Sequence, residues 1–187
     1  MLRLLLIFAL AQLSVAQTTW DGLRFKMSEE DVKKQMSAQG FELHPVANDR
    51  GHYTATPDYD LMLPDLRITL PFIPELNFGT SGMSVITLSL DTAKFLTDNP
   101  RLDPMSMTLI SAKSIHDALV TRYGQPLEQS GSCNKVDVPT LLGDRGIVEC
   151  KTKWRGEAQL VMVSWYYHRG EKKFEYFLQY QAQASGL

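Results

Sequence analysis

The clearest hydrophobic pattern lies in residues 154–171, W-R-G-E-A-Q-L-V-M-V-S-W-Y-Y-H-R-G-E. The same R-G-E turn stands at both ends, and the residues between the turns are apolar at nearly every position. Such turns predict a strand that pairs with the strands before and after it through two-residue Arg-Gly loops. This register predicts five cross-strand pairs: Trp154–Glu157, His168–Glu171, Cys150–Val161, Val163–Tyr176 and Trp165–Phe174.

The register gives the three strands one apolar face and one mixed face, because successive side chains point to opposite sides of a sheet. The apolar face, which we expect to form the core beneath a helix, comprises Val148, Cys150, Val161, Val163, Trp165, Phe174, Tyr176 and Leu178. The mixed face comprises Glu149, Lys151, Lys153, Met162, Ser164, Tyr166, Lys173, Glu175, Phe177 and Gln179. A three-residue loop at either turn would exchange the faces of a strand and dissolve the apolar set.

Helical spacing and capping residues predict a first helix after residue 28. Ser28 is a natural N-cap, Asp31 stands at the acidic position of a capping box, and Gly40 ends the helix. The acidic triplet 29–31 could also be interpreted as a metal or acid/base site. Capping and the helix dipole explain the triplet fully, so we prefer that interpretation.

A second helix is predicted to begin at Asp103, with Pro104 at its first position, and to end at Gly124. Its apolar residues recur at helical spacing from Met105 to Tyr123. The start has an alternative, because Ser114 and Asp117 form another capping box within the stretch.

Extended segments are predicted after each helix. After the first they cover 41–46, 52–56, 66–72 and 83–90, and frequent prolines and glycines between them favour antiparallel hairpins. The sequence thus predicts an α+β fold of tandem α-β-β-β-β units, with a helix packed on each half of an antiparallel sheet. The units would cover 17–91 and 103–187, joined by a linker at 92–102.

The N-terminus predicts export. Arg3 precedes a short apolar run, and small residues follow at Ser14 and Ala16, as in a secretory signal peptide. The run is shorter than the roughly 20 residues that span a bilayer, so a signal peptide of residues 1–16 is preferred to a transmembrane anchor. Cleavage after Ala16 would leave a periplasmic or secreted chain.

Cysteine use agrees with export. The chain has two cysteines, Cys133 and Cys150, which in an oxidising compartment form a disulfide most simply. A cysteine nucleophile or a thiolate metal ligand is the alternative, although the second cysteine would oxidise either one.

Charge argues against two classes of partner. The formal net charge is −2 and no block of basic residues stands out, so nucleic acid and anionic membranes are not predicted as partners. The 44% hydrophobic content is that of a packed globular core.

The sequence contains no G-x-S-x-G elbow, no H-E-x-x-H, no glycine-rich phosphate loop and no C-x-x-C, and we predict no cofactor and no metal. Its four histidines, His44, His52, His116 and His168, lack ligand spacing. The stretch 57–65 brings three aspartates together without the turn glycine of a calcium loop. Met105 and Met107 could bind copper(I) only in extended chain, because positions i and i+2 of a helix face different sides.

Two short segments resemble known exported proteins. W-D-G-L-R-F-K-M-S-E-E-D-V at 20–32 and R-Y-G-Q-P at 122–126 are similar to small bacterial proteins of the beta-lactamase inhibitor protein group and to outer-membrane assembly lipoproteins of the small-protein-A type. The resemblance to the inhibitor group implies two tandem helix-plus-four-strand units whose sheet binds a partner protein. This chain lacks a cysteine for lipid attachment after the apolar run.

The mixed face is the candidate functional surface, because three large apolar groups lie together among charges. We expect a secreted or periplasmic protein-binding module, an inhibitor or adaptor without enzymatic activity, whose partner is another exported or envelope protein. The alternatives are an ordinary sheet face, a periplasmic metal- or small-ligand-binding protein and an unrecognised hydrolase. The predicted binding residues are Met162, Tyr166, Phe177, Lys151 and Glu175.

Overall fold

The computed structural model describes residues 22–63, 68–133, 136–156 and 159–183. The predicted signal peptide and its cleavage position lie outside these residues. The helices are α1 (Glu29–Ala38), α2 (Thr92–Asp98), α3 (Pro104–Tyr123) and α4 (Val138–Leu141). The strands are β1 (Glu42–Pro45), β2 (His52–Thr56), β3 (Tyr59–Leu63), β4 (Ile68–Gly79), β5 (Gly82–Leu90), β6 (Glu128–Gly131), β7 (Ile147–Arg155), β8 (Gln159–His168) and β9 (Lys173–Ala182). None of the helices in the described part of the chain is long and apolar enough to cross a membrane.

All described strands belong to one antiparallel sheet. Its order is β1-β2-β4-β5-β9-β8-β7-β6, and β3 pairs with β4 beside this path. The two halves of the chain meet where β5 pairs with β9, with Leu88 opposite Leu178. The central strands therefore come from both halves.

The prediction of tandem α-β-β-β-β units is wrong, although the fold is α+β. Five strands, not four, follow α1, and α4 interrupts the strands that follow α3. The missed strand is β3, and β4 continues through Pro74. This proline is tolerated because it lies between the part of β4 that pairs with β3 and the part that pairs with β2. Helix α2 occupies most of the segment predicted as a linker, 92–102.

The capping residues begin the helices where they were predicted to. The Ser28 hydroxyl accepts a hydrogen bond from the Asp31 amide, and the Asp103 carboxylate accepts one from the Ser106 amide. Gly124 follows α3 with a φ of 79°, a conformation that glycine adopts without the cost of a Cβ clash.

The predicted hairpin register is wrong by an even number of residues at both turns. Cys150 lies opposite Trp165, four residues beyond its predicted partner. The last pair of this hairpin is Arg155–Leu160, where Trp154–Glu157 was predicted. There the Gly156 amide donates to the Gln159 carbonyl at 2.8 Å. Trp165 lies opposite Tyr176, two residues beyond its predicted partner, because the second loop contains four residues, 169–172. Even shifts leave each side chain on its predicted face.

The core lies between the sheet and the helices. Every residue predicted for the apolar face of β7, β8 and β9 is buried, which confirms the prediction of this face. Helix α3 packs on β8 and β9 and buries Met107, Ile115 and Leu119. Trp154 is fully buried and its indole N–H donates to the Gly124 carbonyl at 3.2 Å, so the polar atom of this large side chain is satisfied.

Cys133 and Cys150 form the predicted disulfide, across a sequence separation of 17 residues. The bond ties the segment that follows β6 to the middle of β7. In the chain-entropy model a loop of this size contributes about 3 kcal/mol to the free energy of unfolding. The disulfide therefore holds the end of β6 close to β7 through a covalent bond.

Candidate functional site

The side of the sheet that faces away from the core helices carries half-buried and exposed side chains, and we call it the open face. Cross-strand pairing aligns these side chains in rows. One row crosses eight strands and consists of His44, Thr54, Glu75, Thr87, Gln179, Met162, Lys153 and Glu128. The open face therefore extends well beyond the three strands that the sequence singled out.

Tyr166 and Phe177 form an aromatic pair on the open face. Their ring centroids are 6.3 Å apart at an interplanar angle of 68°, an edge-to-face arrangement. The Lys151 ammonium lies 5.6 Å from the centroid of the Tyr166 ring. Tyr166, and after it Glu149, raises the pKa of Lys151, so this amine stays charged. Three of the predicted binding residues are thus in one cluster.

Glu175 lies beside this cluster, directly opposite Tyr166 in the ladder between β8 and β9. One of its oxygens lies 2.6 Å from the Lys173 ammonium, and the other lies 3.6 Å from His168 Nε2. The bond from Lys173 holds the pKa of the Glu175 carboxyl below its usual value. Glu175 is therefore an anion that already has a cationic neighbour.

Met162 lies at the far side of the cluster. It is two open-face positions before Tyr166 on β8, so the two Cα atoms are about 13 Å apart. Phe177 pairs with Ser164, between those positions, and is the diagonal neighbour of both. The three apolar groups thus follow one another along β8 and β9, with Phe177 at the centre.

A groove of about 600 Å³ lies over β6, β7 and β8 on the open face, and we call it the lysine groove. Lys151 and Lys153 line it together with Met162. Ser130 and Ser164 lie directly opposite Lys151 on the flanking strands, and their small side chains leave the surface low at this point. The groove therefore joins two charged side chains to the apolar end of the cluster.

Sequence reasoning missed the contribution of β6 to this groove. Glu128 and Ser130 are the open-face residues of β6, but the pattern of a four-residue strand is too short to identify the strand that it pairs with. The disulfide was the usable signal, because a bond from Cys133 to Cys150 brings the segment before Cys133 close to β7.

A second polar group of residues occupies the other end of the open face. The two ring nitrogens of His52 lie 3.0 Å from Asp49 and 3.2 Å from Glu75. The Ser89 hydroxyl donates to the other oxygen of Glu75 at 2.9 Å. A hydrolytic triad needs the imidazole between hydroxyl and carboxylate, whereas here the carboxylate lies between hydroxyl and imidazole. The order of groups is therefore not that of a triad.

The remaining candidates for chemistry have structural partners. Met107 is fully buried in α3, so the methionine pair is helical and does not chelate as an extended segment would. Asp58 and Asp60 lie 3.0 and 3.8 Å from the Lys94 ammonium. Asp65, the third aspartate of the stretch 57–65, lies outside the described residues. Within the described ranges, no group of three or more His, Cys, Asp or Glu side chains could hold a metal ion.

No family model, curated protein or solved structure matches the chain. The resemblance of residues 20–32 and 122–126 to small exported bacterial proteins therefore stays a prediction.

Proposed function

We propose that this protein is an exported, non-enzymatic protein-binding module, an inhibitor or adaptor, that binds its partner through the open face. The observation that carries the proposal is the cluster of Tyr166, Phe177 and Met162 with Lys151 and Glu175 on a sheet face that the described helices leave uncovered. Tyrosine and methionine are enriched at recognition surfaces relative to the rest of a protein surface.

The size of the open face supports a protein partner. Eight strands at a spacing of about 4.8 Å make a surface about 34 Å wide, and the central strands are about 30 Å long. A standard interface buries about 800 Å² on each partner, which this surface can supply. Its aromatic pair lies within the sheet, where a partner would exclude water from it.

The charges around the cluster support specificity. Lys151 lies 3.5 Å from Glu149, and Lys173 lies 2.6 Å from Glu175, so both signs flank the aromatic pair. A partner must match this arrangement, because an opposed like charge costs binding energy. Export, with the partner in the periplasm or outside the cell, is supported by the disulfide and by the signal-peptide pattern.

Site-specific photo-crosslinking in the native host tests the proposal. The photoreactive residue is placed at Tyr166 and, as a matched control, at Lys34, which is exposed on α1 at the other end of the sheet. We expect a discrete protein adduct from position 166 and none from position 34. Adducts at neither position, or equally at both, would contradict binding through the open face.

A small-ligand-binding function is the second candidate, and the lysine groove favours it. Its volume of about 600 Å³ lies in the range of small-molecule sites, about 300–1,000 Å³. Native mass spectrometry of protein purified from the host distinguishes the two functions. A retained small molecule of constant mass, lost from a Met162→Lys variant, would favour the ligand.

A further inference from the structure

The open face of β7 carries a basic stripe in a chain whose formal net charge is −2. Lys151, Lys153 and Arg155 are successive open-face residues, so their Cα atoms are spaced by about 6.7 Å. The remaining open-face positions of β7 are Ile147 and Glu149. A local excess of positive charge therefore adjoins the apolar groups of β8.

The anions that accompany the two lysines are exposed and weakly held. Lys153 lies 3.5 Å from Glu128, whose side chain is 69% exposed, and Lys151 lies 3.5 Å from Glu149, which is 50% exposed. Ion pairs of this kind are worth little in water and exchange readily. A partner carboxylate can therefore replace either glutamate with little loss.

The shape of the lysine groove favours a side chain that enters between the two lysines. Thr152 and Val163 line it although their side chains point towards the core, so the floor is strand backbone. Ser130 and Ser164 lie opposite Lys151 on the flanking strands and line the groove, so their hydroxyl groups are two further donors available there. Such a set of donors suits a carboxylate, which accepts hydrogen bonds only.

We infer that the lysine groove anchors an acidic segment of the partner protein, with one Asp or Glu carboxylate between Lys151 and Lys153. An apolar side chain next to that acid in the partner covers Met162 and Phe177. The inference rests on the proposed function, and it adds the chemistry of the partner segment.

A displayed library of random twelve-residue peptides tests this, with the disulfide-bonded protein as bait. We expect the selected peptides to be enriched in Asp or Glu next to an aromatic or aliphatic residue. The dissociation constant of a selected peptide should rise at least about tenfold in a Lys151→Glu/Lys153→Glu variant, because charge reversal places like charges together. The milder Lys151→Gln/Lys153→Gln variant should weaken binding less.

Lys34→Glu is the control, because it reverses the charge of one exposed lysine on α1, away from the groove. It should leave the dissociation constant within about twofold, since distant exposed charges are screened by salt. Thermal unfolding checks that each variant is folded.

Three outcomes overturn the inference: no peptide is enriched, the selected peptides lack acids, or they bind the double Glu variant as well as the wild type. A Tyr166 adduct in the host together with any of these outcomes would leave the proposed function standing and remove only the acidic partner segment.

Discussion

The two faces of β7, β8 and β9 share one backbone and differ in almost every property. On the core face Trp165 is 1% exposed and Phe174 is fully buried, and both belong to the hydrophobic core. On the open face the neighbouring Tyr166 and Glu175 keep part of their surface in water and interact with lysines. The comparison separates positions that stabilise the fold from positions available to a partner.

The largest expected difference between the two faces is the loss of stability when adjacent aromatic residues of β8 are replaced by alanine. Trp165→Ala should lower the free energy of unfolding by about 3–5 kcal/mol, because a large buried side chain leaves a cavity. Tyr166→Ala should lower it by about 1 kcal/mol or less, since it removes one surface ring pair. Urea unfolding followed by fluorescence measures both values. Equal losses would mean that Tyr166 also contributes to the core.

A smaller effect of opposite sign, a gain in stability, is expected when the Tyr176 hydroxyl is removed. The Tyr176 hydroxyl is buried with no hydrogen-bond partner among the described residues, and burial raises its pKa well above 10. Tyr176→Phe should therefore stabilise the fold by about 1 kcal/mol, because a polar group without a partner leaves the core.

Tyr166→Phe is the matched control on the open face and should change stability by less than about 0.5 kcal/mol. Chemical unfolding of both variants in the same buffer gives the comparison. A loss of stability in Tyr176→Phe would show that an ordered water or another group satisfies this hydroxyl.

The smallest expected effect is the pH dependence contributed by Glu175. Its folded-state pKa lies below the usual 4.5, because Lys173 stabilises the carboxylate. The stabilisation is therefore present above about pH 4.5 and is lost as the pH falls through the lower folded-state pKa. Since the side chain is 33% exposed, we expect less than about 1 kcal/mol.

Unfolding of the wild type and of Glu175→Gln at several pH values measures this contribution. The difference in stability should be constant near neutral pH and should shrink towards about pH 3. A difference that persists in acid would assign the effect to packing and not to charge.

The two faces were predicted correctly because the face of a side chain changes only when the register shifts by an odd number of residues. The register was wrong at both turns, yet the shifts were even, so Trp165 stayed on the core face and Tyr166 on the open face. The helix starts were also predicted correctly, because a capping residue interacts only with residues next to it in the sequence. The tandem repeat was wrong because β3 and α4 were missed, and elements of five and four residues are too short to give a clear periodic pattern.

The candidate site was predictable only in part. Tyr166 and Phe177 could be placed together because they lie on adjacent strands of one hairpin. The lysine groove was not predicted, because it depends on β6, whose four residues are too few for a pattern that identifies the partner strand. Ser130 and Ser164 keep the groove open because their side chains are small. The hydrophobic pattern of a sequence does not show where small side chains will leave such a groove.

The lengths of the strands along the sheet have a consequence for how this protein meets other molecules. The strands at the two ends of the path, β1 and β6, have four residues each. Of the strands between them, β5 and β7 have nine residues and β8 and β9 have ten. β1 and β6 therefore each offer only four residues to another strand, and short edge strands hinder the edge-to-edge pairing that leads to fibrils. Compared with these short edges, the open face built by eight strands is the larger surface that the molecule presents.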